Sequence, residues 1–136
     1  MKIMSKNHFL LAFLCSFCFT LNASADYIDG QRAYASGDYE AAILVWTQVA
    51  QDGNARAQYN LGWMHANGRG IAQDFQEAIK WYTKAAEQGN VNAQYNLGNL
   101  YLRGQGASQN DNLAFSWFIK AAEQGAAPAQ YNLGRM

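Results

Sequence analysis

The sequence predicts an all-α protein, a solenoid of stacked antiparallel helix pairs, and three observations carry that prediction. Ala57-Gln58-Tyr59-Asn60-Leu61-Gly62 returns unchanged as Ala93–Gly98 and again as Ala129–Gly134, 36 residues apart each time. A fixed period of this size marks a stacked repeat array. Every long segment between glycine breaks spaces its apolar residues as a helix does, and no alternating strand pattern stands out. The apolar stripes mix small residues with aromatic ones, which suits close helix packing. One helix pair cannot bury its own apolar face, so the units must stack.

The chain begins with the features of an export signal. Lys2 and Lys6 make a basic start, Phe9 to Leu21 is apolar, and Ala23-Ser24-Ala25 supplies small residues for cleavage after Ala25. Thirteen apolar residues fall short of the roughly 20 that span a bilayer. Residues 1–25 are therefore expected to be a cleaved signal peptide, with residues 26–136 exported to the periplasm or secreted, without a stable membrane anchor.

The first unit, 26–54, holds a helix from Asp26 to Ser36, a Gly37-Asp38 break, and a second helix from Tyr39 to about Gln51 that ends at Gly53. Asp38 is placed to accept from the free N–H groups of the next helix's first turn. The second unit, 55–90, runs Ala55 to Asn67, a loop from Gly68 to Gln73, and a partner helix from Phe75 to Gln88 stopped by Gly89. Asp74 is its expected cap, and Glu77 three residues later completes a capping box. The third unit, 91–126, repeats the plan with helices Val91–Arg103 and about Asp111 to Gln124; Asn110 stands where Asp74 stood, and Leu113 where Glu77 stood. A partial fourth unit, 127–136, starts its helix at Pro128, whose missing N–H costs nothing at the first helical position. With no partner helix in the pattern there, Leu133 is expected to be exposed. A continued array and self-association through this unpaired helix both remain open.

Composition excludes several classes of function. Both cysteines, Cys15 and Cys18, lie in the signal, so the exported part has no disulfide framework and no thiolate metal site. Of ten Lys/Arg, Lys2 and Lys6 are lost on cleavage, leaving eight against ten Asp/Glu. No basic face for nucleic acid is present. His65 is the only histidine after residue 25, with no metal-ligating partners in the pattern. Ser36, Ser108 and Ser116 sit at a helix end, in a loop and on a helix, none in a nucleophile turn. Gly68-Arg69-Gly70 and Gly104-Gln105-Gly106 lack the Lys-Ser/Thr of a phosphate cradle. No cofactor is expected.

Angular spacing assigns the faces. Ala57, Leu61 and Met64 form the buried stripe of one helix, with His65 beside it, matched by Ala93, Leu97, Leu100 and Tyr101. The partner stripes are Ala78, Ile79, Tyr82, Ala85 and Ala86, then Ala114, Phe115, Phe118, Ala121 and Ala122. Trp46, Trp81 and Trp117 flank these stripes and read as packing residues.

At these residues the chain resembles the Sel-one-like repeat family, a relative of the tetratricopeptide repeat. The second unit carries Ala57, Leu61-Gly62, Gly68, Gly70, Asp74, Ala78, Trp81-Tyr82, Lys84-Ala85-Ala86 and Gly89, and the third matches it in register; the first unit is more similar to a plain tetratricopeptide repeat. The resemblance implies a right-handed α-solenoid whose concave face, lined by the first helix of each pair, holds proteins or peptides. Some cysteine-rich members are linked to β-lactam binding or hydrolysis, but they carry a disulfide in each repeat, which this chain lacks.

On the first helices, the stripe opposite Leu61 is Tyr59, Trp63 and Asn67. Its equivalents are Tyr95, Asn99 and Arg103, then Tyr131 and Arg135, and in the first unit Tyr27, Gln31 and Tyr34. Aromatic rings with amide and guanidinium donors suit peptide recognition. The strict return of the tyrosine also fits a structural role, whereas Trp63, Asn99 and Arg135 share one position and differ. Substituting Trp63 and Arg103 together is expected to weaken partner binding without changing helicity or melting. The reading is an exported, non-enzymatic binding module; the alternative is an enzyme acting on β-lactam-like or cell-wall substrates, by family analogy only.

Overall fold

A computed structural model describes residues 23–136, and the apolar stretch assigned to the signal lies outside them. Seven helices follow one another: α1 Ala23–Ser36, α2 Tyr39–Gln51, α3 Ala55–Asn67, α4 Phe75–Glu87, α5 Val91–Arg103, α6 Asp111–Glu123 and α7 Ala127–Arg135. Among the described residues there is no strand. Each helix packs chiefly on the one before and the one after it, giving an α-solenoid of the pairs α1/α2, α3/α4 and α5/α6 with α7 beginning a fourth unit. None of these helices is long and apolar enough to cross a membrane. α1 starts three residues before Asp26 and runs through Ala25.

Short polar side chains set the helix starts. Asp38, Asp74 and Asn110 accept from N–H groups of the first turns of α2, α4 and α6. Asn54 and Asn90 do the same for α3 and α5, two caps that the sequence pattern did not single out. The capping box at Glu77 does not close. The Asp74 N–H that Glu77 would have taken already donates 2.9 Å to the carbonyl of His65, across the Gly68–Gln73 loop. Glu77 pairs with Lys80 instead.

The core is three clusters in a row. The first centres on Trp46, Leu61 and Met64, the second on Tyr82 and Leu97, and the third on Phe118 and Ala129. Trp81 and Trp117 reach back to pack on the cluster of the preceding unit, while Lys84 and Lys120 lie over their outer ring faces. Two stripe assignments need correction. Phe115 is 46% exposed, because nothing among the described residues packs on that side of α6. Leu133 is half-buried rather than exposed, because it faces α6 and the third cluster; Tyr131 and Met136 are the exposed apolar groups of that unit.

The invariant motif builds the joints between helices. Ala57 and Ala93 are fully buried. Gly62 faces the Tyr82 ring and Gly98 faces Phe118, so that a Cβ at either would stand 2.6 or 2.7 Å from a ring carbon. Gly134, the same position in the fourth unit, meets nothing. Gln58 and Gln94 are buried side-chain amides, each donating to the carbonyl of an alanine eight residues earlier, Ala50 at 3.0 Å and Ala86 at 3.1 Å. Their own oxygens accept from Gln88 and Gln124, the caps that end α4 and α6 one residue short of the expected ends. The second glycine of each loop also holds a joint. A Cβ on Gly106 would press into the backbone of Phe75, at the start of α4, and one on Gly70 into Tyr39, at the start of α2.

Two outcomes follow from these joints. Gly98→Ala should lower stability by about 1–3 kcal/mol through overpacking against Phe118, whereas Gly134→Ala should be neutral or raise it by about 0.5–1 kcal/mol through helix propensity; thermal melts of the two variants compare them directly. Gln94→Leu should cost about 1–3 kcal/mol, because the Ala86 carbonyl loses its side-chain donor and Gln124 its acceptor. Urea unfolding measures that loss, and an unchanged midpoint would show that the glutamine joint contributes nothing.

Candidate binding groove

The first helices present one side of each unit, and two adjoining cavities lie along it. A cavity of about 330 Å³ is lined by Tyr27, Gln31 and Tyr34 of α1, Trp46 of α2, and Tyr59, Asn60, Trp63 and Met64 of α3. The next, about 350 Å³, is lined by Trp63, Ala66 and Asn67 of α3, Phe75 and Tyr82 of α4, and Asn96, Asn99, Leu100, Arg103 and Gln105 on the α5 side. Trp63 is the wall they share. Both volumes lie at the lower end of those of small-molecule sites, roughly 300–1,000 Å³.

Eight of the eleven expected contact residues therefore line this groove: Tyr27, Gln31, Tyr34, Tyr59, Trp63, Asn67, Asn99 and Arg103. Arg135 lines a separate recess with Leu102, Asp111, Asn132 and Met136. Tyr95 and Tyr131 line none of these spaces. The Tyr95 ring packs 5.9 Å from Phe118 against the third cluster, and Tyr131 lies exposed beneath the Arg135 guanidinium.

The aromatic wall is held by its own contacts. Tyr27 stacks on Trp46 at 6.3 Å, Tyr34 lies 5.7 Å from Trp46, and Tyr34 meets Trp63 edge-on at 6.2 Å. The Trp46 indole N–H donates 3.2 Å to the Tyr27 carbonyl, so that ring is fixed although it borders the cavity. Trp63 packs on both the first and the second core clusters. It is thus part of the core as well as the groove, and the expectation that replacing it would leave melting unchanged does not fit its surroundings. Arg103 is exposed and is the cleaner probe.

Asn60 and Asn96 are among the groove residues that the sequence reading missed, together with Trp46, Phe75 and Tyr82 of the second helices. Asn60 donates to the Tyr27 hydroxyl at 3.4 Å and Asn96 to the Tyr82 hydroxyl at 3.2 Å. Their invariance hid them among the joint residues. The helical angle would have found them, since Asn60 stands i, i+3 and i+7 with Trp63 and Asn67. Burial raises the Tyr59 and Tyr82 phenols above their ordinary value of 10.0, against the opposing effect of the Asn96 amide.

Two of the three serines after residue 25 are engaged locally: Ser36 donates to the Ala33 carbonyl and Ser116 to that of Leu113. His65 carries a buried Nδ1 without a hydrogen-bond partner among the described residues, and no three His, Cys, Asp or Glu side chains converge there or elsewhere among them.

Comparison with known proteins places this architecture. A family model described as "Sel1 repeat" matches residues 55–90, 91–125 and 127–136. The chain belongs to the Sel1 repeat family. A solved Sel1 repeat protein from Oxalobacter formigenes is 37% identical and superposes with a TM-score of 0.76 over 80% of this chain and 45% of its own. A protein called c5321, described as a protective antigen of uropathogenic Escherichia coli with an SLR fold, is also 37% identical, with a TM-score of 0.78 over 83% of this chain and 25% of its own. This Sel1 repeat chain therefore spans less than half the length of either. Helicobacter pylori cysteine rich protein B, 18% identical with a TM-score of 0.68 over 87% of this chain and 93% of its own, shares the fold. No curated protein matches. Sel1 repeats generally mediate protein–protein interaction and serve as non-enzymatic scaffolds. The α1/α2 pair lies outside the matched residues.

The buried phenols give this Sel1 repeat chain a pH dependence. Well below pH 10 both tyrosines are neutral in the folded and the unfolded chain. As pH rises past 10 the unfolded chain ionises first, so stability is lost through the alkaline range. The urea midpoint should be lower at pH 11 than at pH 8, and Tyr82→Phe should shrink that difference.

Proposed function

We propose that this chain is an exported, non-enzymatic module that docks a protein or peptide partner in the groove of its first helices. The observation that carries this reading is the division of labour along those helices. Most residues that recur from the second unit to the third close the joints, while several groove positions differ between those two units: Trp63 against Asn99, and Asn67 against Arg103. A fixed scaffold with a varied lining suits recognition by shape and hydrogen bonding. Export rests on the basic start, the apolar stretch from Phe9 to Leu21 and the Ala23-Ser24-Ala25 site.

Self-association is a second reading, favoured by one observation. Tyr131 on α7, Met136 just after it and Phe115 on α6 are exposed, and Gly134 is open. Sedimentation velocity over a hundredfold concentration range tests it, and a constant monomer mass would dismiss it. No observation favours the enzyme alternative; sustained turnover of a chromogenic β-lactam by purified protein would restore it.

For the main reading, the full chain expressed in a Gram-negative host should appear in the periplasm with a mass corresponding to residues 26–136. A cytoplasmic, uncleaved product would refute export. Partners cross-linked there should be at least tenfold depleted with Asn99→Ala/Arg103→Gln. Its melting should stay within a few degrees of wild type, as partly exposed side chains away from the joints allow. Equal capture by both proteins would remove the groove from the interface.

A further inference from the structure

The groove's charge narrows what it can hold. Neither cavity is lined by an Asp or Glu, and Arg103 is the one charged side chain among the lining residues. The ion pairs among the described residues are Arg32–Asp29 and Lys80–Glu77, so the Arg103 guanidinium is unpaired. Its neighbour in the cavity, Asn99, accepts on Oδ1 from Asn132 at 3.4 Å, which leaves its NH₂ group free to donate. The α5 side of the groove is therefore rich in donors and unopposed in charge. The other cavity carries no charge; rings of Tyr27, Tyr34, Trp46, Tyr59 and Trp63 make most of its walls, with Met64 and the amides of Gln31 and Asn60, and the Trp46 N–H is already spent on Tyr27.

We propose that the groove takes a peptide bearing one large apolar side chain, seated among Tyr34, Trp46 and Trp63, and one carboxylate, held by Arg103 with Asn99. This rests on the peptide-binding reading above and adds the chemistry of the ligand. A guanidinium fork matches a carboxylate with two parallel hydrogen bonds, and an aromatic box gains most from a large apolar group. The two cavities sit on either side of α3. An α-helix with its side chains is about 10–12 Å across, and an extended chain advances about 3.3 Å per residue. The carboxylate should thus follow or precede the apolar anchor by about three residues.

The test uses the full chain and a panel of labelled, end-blocked peptides. Each holds one Phe and one Glu in a Gly/Ser background, separated by one to five positions, with Glu→Gln counterparts. Binding is read by anisotropy, and occupancy of the aromatic box by a change in Trp46 and Trp63 emission. Affinity should peak near a separation of three. Glu→Gln in the peptide and Arg103→Gln in the protein should each weaken binding about tenfold, and the two changes together should cost no more than either alone. Arg103→Gln protein with unchanged circular dichroism keeps the comparison valid. Peptides that shift the tryptophan emission but bind equally with Glu or Gln would overturn the carboxylate proposal and leave the peptide groove standing. A panel in which nothing binds would overturn the peptide reading itself.

Discussion

The architecture depends on a side-chain amide placed where helices end. The carbonyls of Ala50, Ala86 and Ala122 each accept a turn N–H, from Gly53, Gly89 and Gly125, and keep one lone pair over. A glutamine eight residues on, Gln58, Gln94 or Gln130, donates to that remaining site. Where the next unit follows, Gln88 and Gln124 then donate both their hydrogens, one to the oxygen of that glutamine and one to the carbonyl of Gly53 or Gly89. Three helix ends are tied at one point. Because Gln58 and Gln94 are buried, a slipped register would leave several polar groups unsatisfied, which costs far more than the bonds themselves contribute. That asymmetry is the physical reason the spacing is held at 36 residues.

Once the helix ends are tied, the rest of the packing has little freedom. Ala57 and Ala93 are fully buried between helices, and the backbone at Gly62 and Gly98 must lie against a ring. The ring in turn orients the tyrosine beside it, Tyr59 against Tyr82 and Tyr95 against Phe118. The same six-residue motif therefore supplies the clamp, the close contact, the ring neighbour and the core leucine. Only Asn60 and Asn96, within the motif, point their amides toward the groove, and even they are occupied by tyrosine hydroxyls.

This division explains what the sequence revealed. Period and breakers placed six of the seven helices to within a residue or so of their ends, because glycine stops and Asp caps act locally; α1 begins three residues early, at Ala23. Glu77 failed as a capping partner because its target N–H was claimed from another helix, by the His65 carbonyl, which no local pattern records. Phe115 and Leu133 were misplaced for a related reason: burial depends on which neighbour covers a face, and the angle of a stripe does not name that neighbour. The groove was legible as a stripe but not as a space. Trp46, Phe75 and Tyr82 contribute walls from the second helices, and only the packed arrangement brings those helices beside the α3 and α5 stripes.

Trp63 joins the two levels of this design. It closes the seam between the first two core clusters and forms the wall between the two cavities. A ring held by packing on both sides has already lost its rotational freedom in the folded chain, so a partner that lies across it meets a preorganised surface and spends little binding energy on ordering it. The same contact couples binding to stability. A ligand bound only to the folded chain at a hundred times its dissociation constant adds about 2.7 kcal/mol to stability, and part of the surface it covers is the seam that the joints hold shut. Arg103, which only lines the space, is free to change with the partner; Trp63 is constrained by both demands and anchors recognition where the scaffold is most rigid.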